Sequence, residues 1–342
     1  MSSIRYDRIH DTHVIIAPER LYRPDCSFGA DEPQSVEPDC AFCEGNESMT
    51  PPEIFATRKP QTLANTAGWQ TRVVPNLYKA VQIEAPYAHH YGLFEYHEGF
   101  GAHEVIIDTP EHLTSMTQWN AQTAVQWLKT LRARVHDLRR DQRMAYISVF
   151  KNEGILAGAT QTHSHTQMIG LPFVPKVARE NYRRSYEHYK QHGISLLQSC
   201  VQHEEEQQER VIAKHGDFTA FCPFASAYAF EVMITSQKAL GQIDTLSDES
   251  INTLAPLLLA TLRVLKAQLV CFAFNLVITT PPLQEGSADY GMLSCVDEAC
   301  RFAVRIMPRI YKHGGFEVGT GVYINPVLPE VAAKLLREGI DV

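Results

Sequence analysis

No run of apolar residues in the 342-residue chain approaches the ~20 that a membrane-spanning helix needs. The opening residues, MSSIRYDRIHD, lack the apolar stretch of a secretory signal. Surplus positive charge is missing too. Lys and Arg number 31 against 39 Asp and Glu, a formal charge of -8, so nothing favours binding to nucleic-acid phosphates. The eight cysteines are too scattered over this length to form a disulfide framework, which points to a reducing, cytoplasmic setting. With 44% hydrophobic and 20% charged residues, the composition is that of a globular protein. The length allows one large or two medium domains, each with its own core.

Alternation in THVIIAP, RVVPNLYKAVQI and HEVIIDTP predicts strands. Thr109-Pro110 then reads as an N-cap followed by a first helical proline. Leu113, Met116, Ala124, Trp127, Leu131, Val135 and Leu138 supply the apolar face of the helix that would follow. RMAYISVFKN and HTQMIGLPFVP read as paired strands around the loop EGILAGATQ. A polar stretch from Pro175 to about Gly216 reads as a helical link. The order then repeats. FTAFCPFASAYAFEVMITS reads as strands, and Ile251, Leu254, Leu258, Leu262, Leu265 and Leu269 mark one helix face. FAFNLVITTPP, RFAVRIMPRI and FEVGTGVYINP read as strands, and LPEVAAKLLREGI as a closing helix. The pattern predicts a duplicated α+β chain of two antiparallel-sheet halves with packed helices, residues 1–175 and 176–342.

The stretch GATQTHSHTQMIGLP, residues 158–172, carries the strongest chemical signal. In an extended segment, residues two apart share a face, so His163 and His165 aim into one site. A second signal is Cys40-x-x-Cys43. Redox pairs of this spacing usually open a helix after a strand, whereas EPDCAFCEGNESMTPPE is loop-rich. Two thiolates on one zinc are therefore favoured, and histidines are the natural supply of the two remaining ligands.

DCAFCEGNESMTPPEIF, RVVPNLYKAV, VIIDTPEH, FKNEGILAGATQTHSHTQ and GGFEVGTGVYINP occur in an order that resembles the galactose-1-phosphate uridylyltransferase family. That family is the transferase branch of the histidine-triad superfamily, and the resemblance covers nearly the whole chain. The H-S-H-x-Q-M run and the G-G-F-E-x-G-T-G-x-Y-I-N-P end are most similar to its ADP-glucose phosphorylase type. Hexose uridylyltransferases usually carry proline where this chain has Ser164.

Matched motif by motif, the resemblance implies one structural Zn2+ site made by Cys40, Cys43, His112 and His163. His103 competes with His112 for the third place; a rigid helical turn after Pro110 favours His112. His165 is implied as the nucleophile at the α-phosphorus, and Gln167 as a donor to a non-bridging oxygen. Arg20 and Arg23 match a phosphate-approaching pair, and Asn76 a nucleoside or ribose contact. Asn152, Gly158 and Thr160 match a phosphate-cradling loop, and Glu317 a sugar contact.

The implied activity is ping-pong transfer of a nucleoside monophosphate, with AMP preferred, through a nucleotidyl-histidine to phosphate or a sugar phosphate. The implied assembly is a cytoplasmic homodimer that binds neither nucleic acid nor membrane. Three other readings stay open: a UDP-glucose–hexose-1-phosphate uridylyltransferase, an adenylylsulfate:phosphate adenylyltransferase, and a non-catalytic zinc-folded nucleotide sensor. Tyr323 weighs against the first, because hexose uridylyltransferases place Gln six residues after the matching Glu. Many members hold a second, structural metal with histidines near the later RIMP segment. Arg301, Ala303 and Arg305 stand there instead, so that site is expected to be missing. Cys200 and His203 read either as its remnant or as residues of a polar helix.

Overall fold

The computed structural model describes residues 1–22, 39–269, 272–284 and 291–342. In chain order the strands are β1 (Ser3–Asp7), β2 (Thr12–Ile16), β3 (Phe55–Arg58), β4 (Trp69–Pro75), β5 (His89–His90), β6 (Tyr96–His97), β7 (Ala102–Ile107), β8 (Tyr146–Glu153) and β9 (His165–Leu171). They continue as β10 (Val211–His215), β11 (Phe218–Phe221), β12 (Val232–Ser236), β13 (Phe274–Ile278), β14 (Ala303–Pro308) and β15 (Tyr323–Asn325). The α-helices are α1 (Ala121–Leu138), α2 (Lys176–His192), α3 (Leu196–Gln207), α4 (Asp248–Gln268), α5 (Val296–Ala299), α6 (Gly315–Thr320) and α7 (Pro329–Gly339). Among the described residues, no helix is long and apolar enough to cross a membrane.

Ten strands form one sheet in the order β10-β11-β12-β14-β13-β8-β9-β7-β4-β3. Each half of the chain contributes five of them in matching order. In the first half the chain runs from β7 through α1 to β8, and β9 returns between β8 and β7. In the second it runs from β12 through α4 to β13, and β14 returns between β13 and β12. The repeats meet where β8 pairs antiparallel with β13, so that Asn152 faces Asn275 and Val149 faces Ile278. The two predicted halves thus share a single sheet, and the seam covers a strand edge of each that would otherwise stand open.

Helices α1 and α4 pack side by side on one face of this sheet. Trp127, Leu128 and Leu131 of α1 recur at helical spacing and join Leu254, Leu258 and Leu262 of α4 in one core. Val73, Ile106, Val149, Met168, Ile234, Leu276 and Ile306 meet them from the sheet. Alternation along β9 decides what remains for function. Met168 points to the helices, so His165 and Gln167 lie on the opposite face.

Three local readings change. Thr109-Pro110 opens no helix: Asn120 caps α1 by accepting from the Thr123 amide at 2.9 Å. Thr109 instead donates its hydroxyl to the Glu111 carbonyl, and its own carbonyl is held by His163. These contacts keep residues 108–113 irregular. FEVGTGVYINP is not one strand. Its first part forms α6, which starts where the Gly314 amide donates to Glu317 at 2.8 Å and ends at Gly321. Only β15 is extended, and it pairs parallel to β2, which pairs with β1. The run FTAFCPFASAYAFEVMITS keeps strand only at β11 and β12. The predicted helical link forms as α2 and α3, separated at Gly193.

Gly154 ends β8 with φ +84°, and a Cβ there would stand 2.7 Å from Ala273 Cβ, just ahead of β13. Gly154→Ala should therefore lower the unfolding free energy by roughly 1–3 kcal/mol, read by urea denaturation. Gly158→Ala, at φ +86° but facing open space, should cost only about 1–2 kcal/mol. Equal stability of wild type and Gly154→Ala would contradict this close approach.

Candidate active site

The Cys40-x-x-Cys43 segment is a tight turn. The Cys43 amide donates to the Cys40 carbonyl at 3.2 Å, and the Phe42 amide points at Cys40 Sγ at 3.4 Å. The Phe42 ring packs on Trp69, Val74, Val105 and Ile107, which docks the turn on β4 and β7. The Glu44 amide donates to the Pro110 carbonyl and draws residues 108–113 alongside. His112 arrives on that segment, and His163 arrives just ahead of β9.

Their donor atoms converge. Cys40 Sγ is 3.5 Å from His163 Nδ1, and Cys43 Sγ is 3.4 Å from His112 Nδ1 and 3.7 Å from His163 Nδ1. All four ligand atoms lie within 4.8 Å of one another. Ordinary zinc bond lengths give a tetrahedral S···N edge of about 3.6 Å, so the spacing fits one metal ion at the centre. The outer nitrogens are committed: His163 Nε2 donates to the Thr109 carbonyl at 2.8 Å, and His112 Nε2 lies 3.2 Å from Thr162 Oγ1. His163 therefore offers its Nδ1 lone pair inward, and His112 does the same when the Thr162 hydroxyl accepts from its Nε2. Burial, aided by His112, lowers the His163 pKa to about 4, which keeps that ring neutral. Burial and the neighbouring Cys40 push the Cys43 thiol up to about 11. A dication would supply the charge that two adjacent thiolates require. The cluster can hold a metal ion.

His165, 7% exposed, opens β9 opposite Ile107. Its Nδ1–H donates to the His163 carbonyl at 2.9 Å, leaving the Nε2 lone pair free. Burial lowers its pKa, and the charge of Lys151 adds to the effect. Phe42 presents its ring edge-on to both imidazoles, at 5.7 Å from His165 and 6.1 Å from His163.

Gln167 lies two residues further along the same face. The Ala80 amide donates to His103 Nδ1 at 3.1 Å, so His103 Nε2 carries the proton and donates to Gln167 Oε1 at 3.0 Å. With its oxygen engaged, Gln167 keeps its amide N–H groups for another acceptor. The Asn76 amide nitrogen, whose own oxygen accepts from the Tyr78 amide, lies beside the same ring without bonding the protonated Nε2. His103 thus supports Gln167, while His112 takes the place in the metal cluster.

Asn152 lies two residues beyond Phe150, which pairs with Gln167, and so shares its face. Its Oδ1 accepts from Asn275 Nδ2 at 2.8 Å, and Arg309 donates to Asn275 at 3.2 Å. Gly158 and the exposed Thr160 belong to the loop joining β8 to β9, directly upstream of the histidines. Arg20 sits in the short turn Pro18–Tyr22, and Arg23 lies outside the described residues. Glu317 caps α6 and sits near His313. No hydrogen bond among the described residues joins Glu317 to His165. In the second half, Arg305 donates to Glu231 at 2.5 Å and lies 3.4 Å from His10. Cys200 packs against an apolar cluster that includes Val201 and Phe221.

Sequence reasoning missed Lys151, Asp108 and the supporting part of His103. Lys151 gave a signal. In YISVFKNE it falls in register with Ile147 and Val149, where a charge needs a buried partner.

The site thus sets an H-x-H-x-Q strand end on the duplicated sheet. Residues 1–175 match the family model described as galactose-1-phosphate uridyl transferase, N-terminal domain. The chain is 32% identical to ADP-glucose phosphorylase of Arabidopsis thaliana over 98% of its own length and 92% of that protein's. It is 25% identical to galactose-1-phosphate uridylyltransferase of Thermotoga maritima, over 99% and 98%. The crystal structure of an Arabidopsis thaliana ADP-glucose phosphorylase with bound ADP-glucose superposes with a TM-score of 0.80 at 29% identity, over 99% and 98% of the two chains. The protein belongs to the galactose-1-phosphate uridylyltransferase family.

Purified protein should carry one metal ion per chain that survives dialysis. Cys43→Ser should release it and lower the thermal midpoint by on the order of 10 °C, because a buried site of this type contributes folding energy. Full metal content with an unchanged midpoint would remove Cys43 from the cluster.

Proposed function

We propose that the protein transfers a nucleoside monophosphate, AMP in preference to UMP, through a nucleotidyl-histidine on His165. The donor would be a nucleoside diphosphate derivative, and the acceptor phosphate or a sugar phosphate. The observation that carries this reading is the state of His165: buried, neutral, and fixed through Nδ1–H so that Nε2 is free. Attack by Nε2 on the α-phosphorus forms the N–P bond as the bond to the leaving phosphate oxygen breaks, and that oxygen keeps the electron pair. An oxygen of the acceptor then attacks phosphorus, the N–P bond breaks, and the pair returns to Nε2. The His163 carbonyl, bound to Nδ1–H, stabilises the positive charge that the ring carries while its other nitrogen is bonded to phosphorus. Gln167, held through its oxygen by His103, would donate N–H to a non-bridging oxygen as charge builds there.

Zinc is the metal this donor set favours, held by Cys40, Cys43, His112 and His163. Its contribution when bound would be to cross-link the turn at Cys40, the 108–113 segment and the entry to β9. Asn76 would face the nucleoside; Asn152, Gly158, Thr160, Arg20 and Arg23 the phosphates; and Glu317 the sugar. We take the chain to act as a cytoplasmic homodimer whose halves divide near residue 175. Adenylyl transfer is preferred because identity to an ADP-glucose phosphorylase exceeds that to a uridylyltransferase. Ser164 stands where hexose uridylyltransferases commonly carry proline, and its hydroxyl joins Lys151 and Asp108.

Incubation with α-labelled ADP-glucose should leave acid-labile, alkali-stable label on the protein, and initial rates should give parallel double-reciprocal lines. His165→Asn should lose both label and turnover, by on the order of 10⁴-fold or more, while keeping its metal. His165→Gly should regain transfer from a preformed nucleotidyl-imidazolide. Wild-type turnover in His165→Asn would exclude this mechanism. Labelling from UDP-glucose alone would move the assignment to uridylyl transfer, and labelling from adenylylsulfate alone to that donor.

The acid limb of kcat/KM should lie below the ordinary imidazole value of 6.5, since a depressed pKa keeps Nε2 unprotonated to lower pH. Lys151→Met should move the limb upward, because it removes a cation and leaves the Asp108 carboxylate to favour the protonated ring. An acid limb above 6.5 in the wild type would contradict the environment assigned to His165.

A further inference from the structure

The segment between β4 and β7 carries a cluster that the transfer reaction does not use. Strands β5 and β6 pair so that His89 stands opposite His97, and His90 opposite Tyr96. Directly opposed residues share a face with their Cβ atoms about 5 Å apart, so His89 and His97 project to the same side. Their rings lie 3.9 Å apart at an interplanar angle of 15°. Glu95 reaches in from the connecting loop, with Oε1 2.6 Å from His89 Nε2. One donor atom from each of His89, Glu95 and His97 falls within 4.8 Å of the other two. His90 is occupied separately, stacking on Tyr96 at 4.3 Å and meeting Glu98 at 3.1 Å.

We propose that His89, Glu95 and His97 form a second metal site, which binds an exchangeable divalent transition-metal ion. Two imidazoles and one carboxylate are a donor set that zinc accepts with water in the fourth place, and imidazole also suits nickel and copper. The site differs in kind from the cysteine cluster. It has no thiolates, and His97 and Glu95 are exposed, so the ion exchanges with solvent. A pair of two-residue strands is marginal by itself, and an ion bound from both strands and their loop would add a cross-link to the hairpin. The base of the same segment is tied to the β7 end. The Phe100-Gly101 end is tied to Gln82, and the Ala80 amide holds His103, which in turn holds Gln167.

The test is a Ni2+ titration of untagged protein already carrying its tightly held metal, followed by calorimetry and by histidine ring NMR. One Ni2+ per chain should bind, with paramagnetic broadening of His89 and His97 ahead of His90. His89→Gln and His97→Gln should each weaken binding by roughly tenfold or more, and His90→Gln should not. The thermal midpoints of these variants without Ni2+ should match the wild type, because the side chains lie on a surface hairpin. Wild-type affinity in either His89→Gln or His97→Gln would overturn the proposal. So would broadening centred on another histidine, or no binding up to millimolar Ni2+; both are read on the unaltered chain.

Discussion

A lysine ammonium with no access to water fixes how β9 lies against β8 and the end of β7. Lys151 is 1% exposed, and its Nζ donates at 2.9 Å to Asp108 Oδ2, Ser164 Oγ and the His165 carbonyl. Asp108 is fully buried; its other oxygen accepts from Thr166, whose hydroxyl accepts from Trp127 of α1. Four segments thus meet at one ion pair: β8, the end of β7, the entry to β9 and the helix behind the sheet. Burying such a pair in place of apolar residues adds little stability, but removing one partner costs about 3–5 kcal/mol. The pair therefore specifies position more than it stabilises the fold. Any shift of β9 against β8 would strand a charge, and β9 carries both His165 and Gln167.

The two repeats carry different side chains on the open face of the sheet. On β14, Arg305 and Met307 lie opposite the core residues Val304 and Ile306, as His165 and Gln167 lie opposite Met168 on β9. A cavity lined by His10, Val277, Arg305 and Met307 lies over that part of the sheet. Arg305 pairs with Glu231 and lies beside His10, which bonds Asp7 at 2.6 Å, so the first residues of the chain are drawn across the second repeat. Strand β15 pairs with β2 beside them. The first repeat carries instead the Cys40/Cys43/His112/His163 cluster and the His103–Gln167 pair. Two copies of one topology thus hold different polar side chains at equivalent strand positions.

The parts legible in the sequence were those written in local periodicity or fixed spacing. Alternation located β4, β7, β8 and β9, and three-and-four spacing located α1 and α4. The strand rule put His163 and His165 side by side, and the Cys40-x-x-Cys43 turn could be recognised as a chelating loop. The parts not legible depend on pairing across long sequence distances. Nothing near Asn275 announces that it will bond Asn152, because that contact arises only when two repeats join at an edge. The helix expected after Pro110 fails for a similar reason. The Thr109 carbonyl is taken by His163, 54 residues away, and that tertiary bond outweighs a local capping preference. His103 reads as a candidate metal ligand because its residue type fits. Its neighbours, Ala80 and Gln167, come from the segment after β4 and from the adjacent strand.

His163 and His165 differ because backbone carbonyls accept from different ring nitrogens of the two. His163 gives its Nε2–H to Thr109 and so presents Nδ1, the nitrogen nearer the main chain, to the cysteines. His165 gives its Nδ1–H to the His163 carbonyl and so presents Nε2, the nitrogen farther from the main chain, to the open face. The His163 residue links the two rings: its side chain joins the cysteine cluster, while its carbonyl fixes the tautomer of His165. A disturbance of the cluster that moved the His163 peptide would therefore reach the His165 ring without any change in that ring's other neighbours.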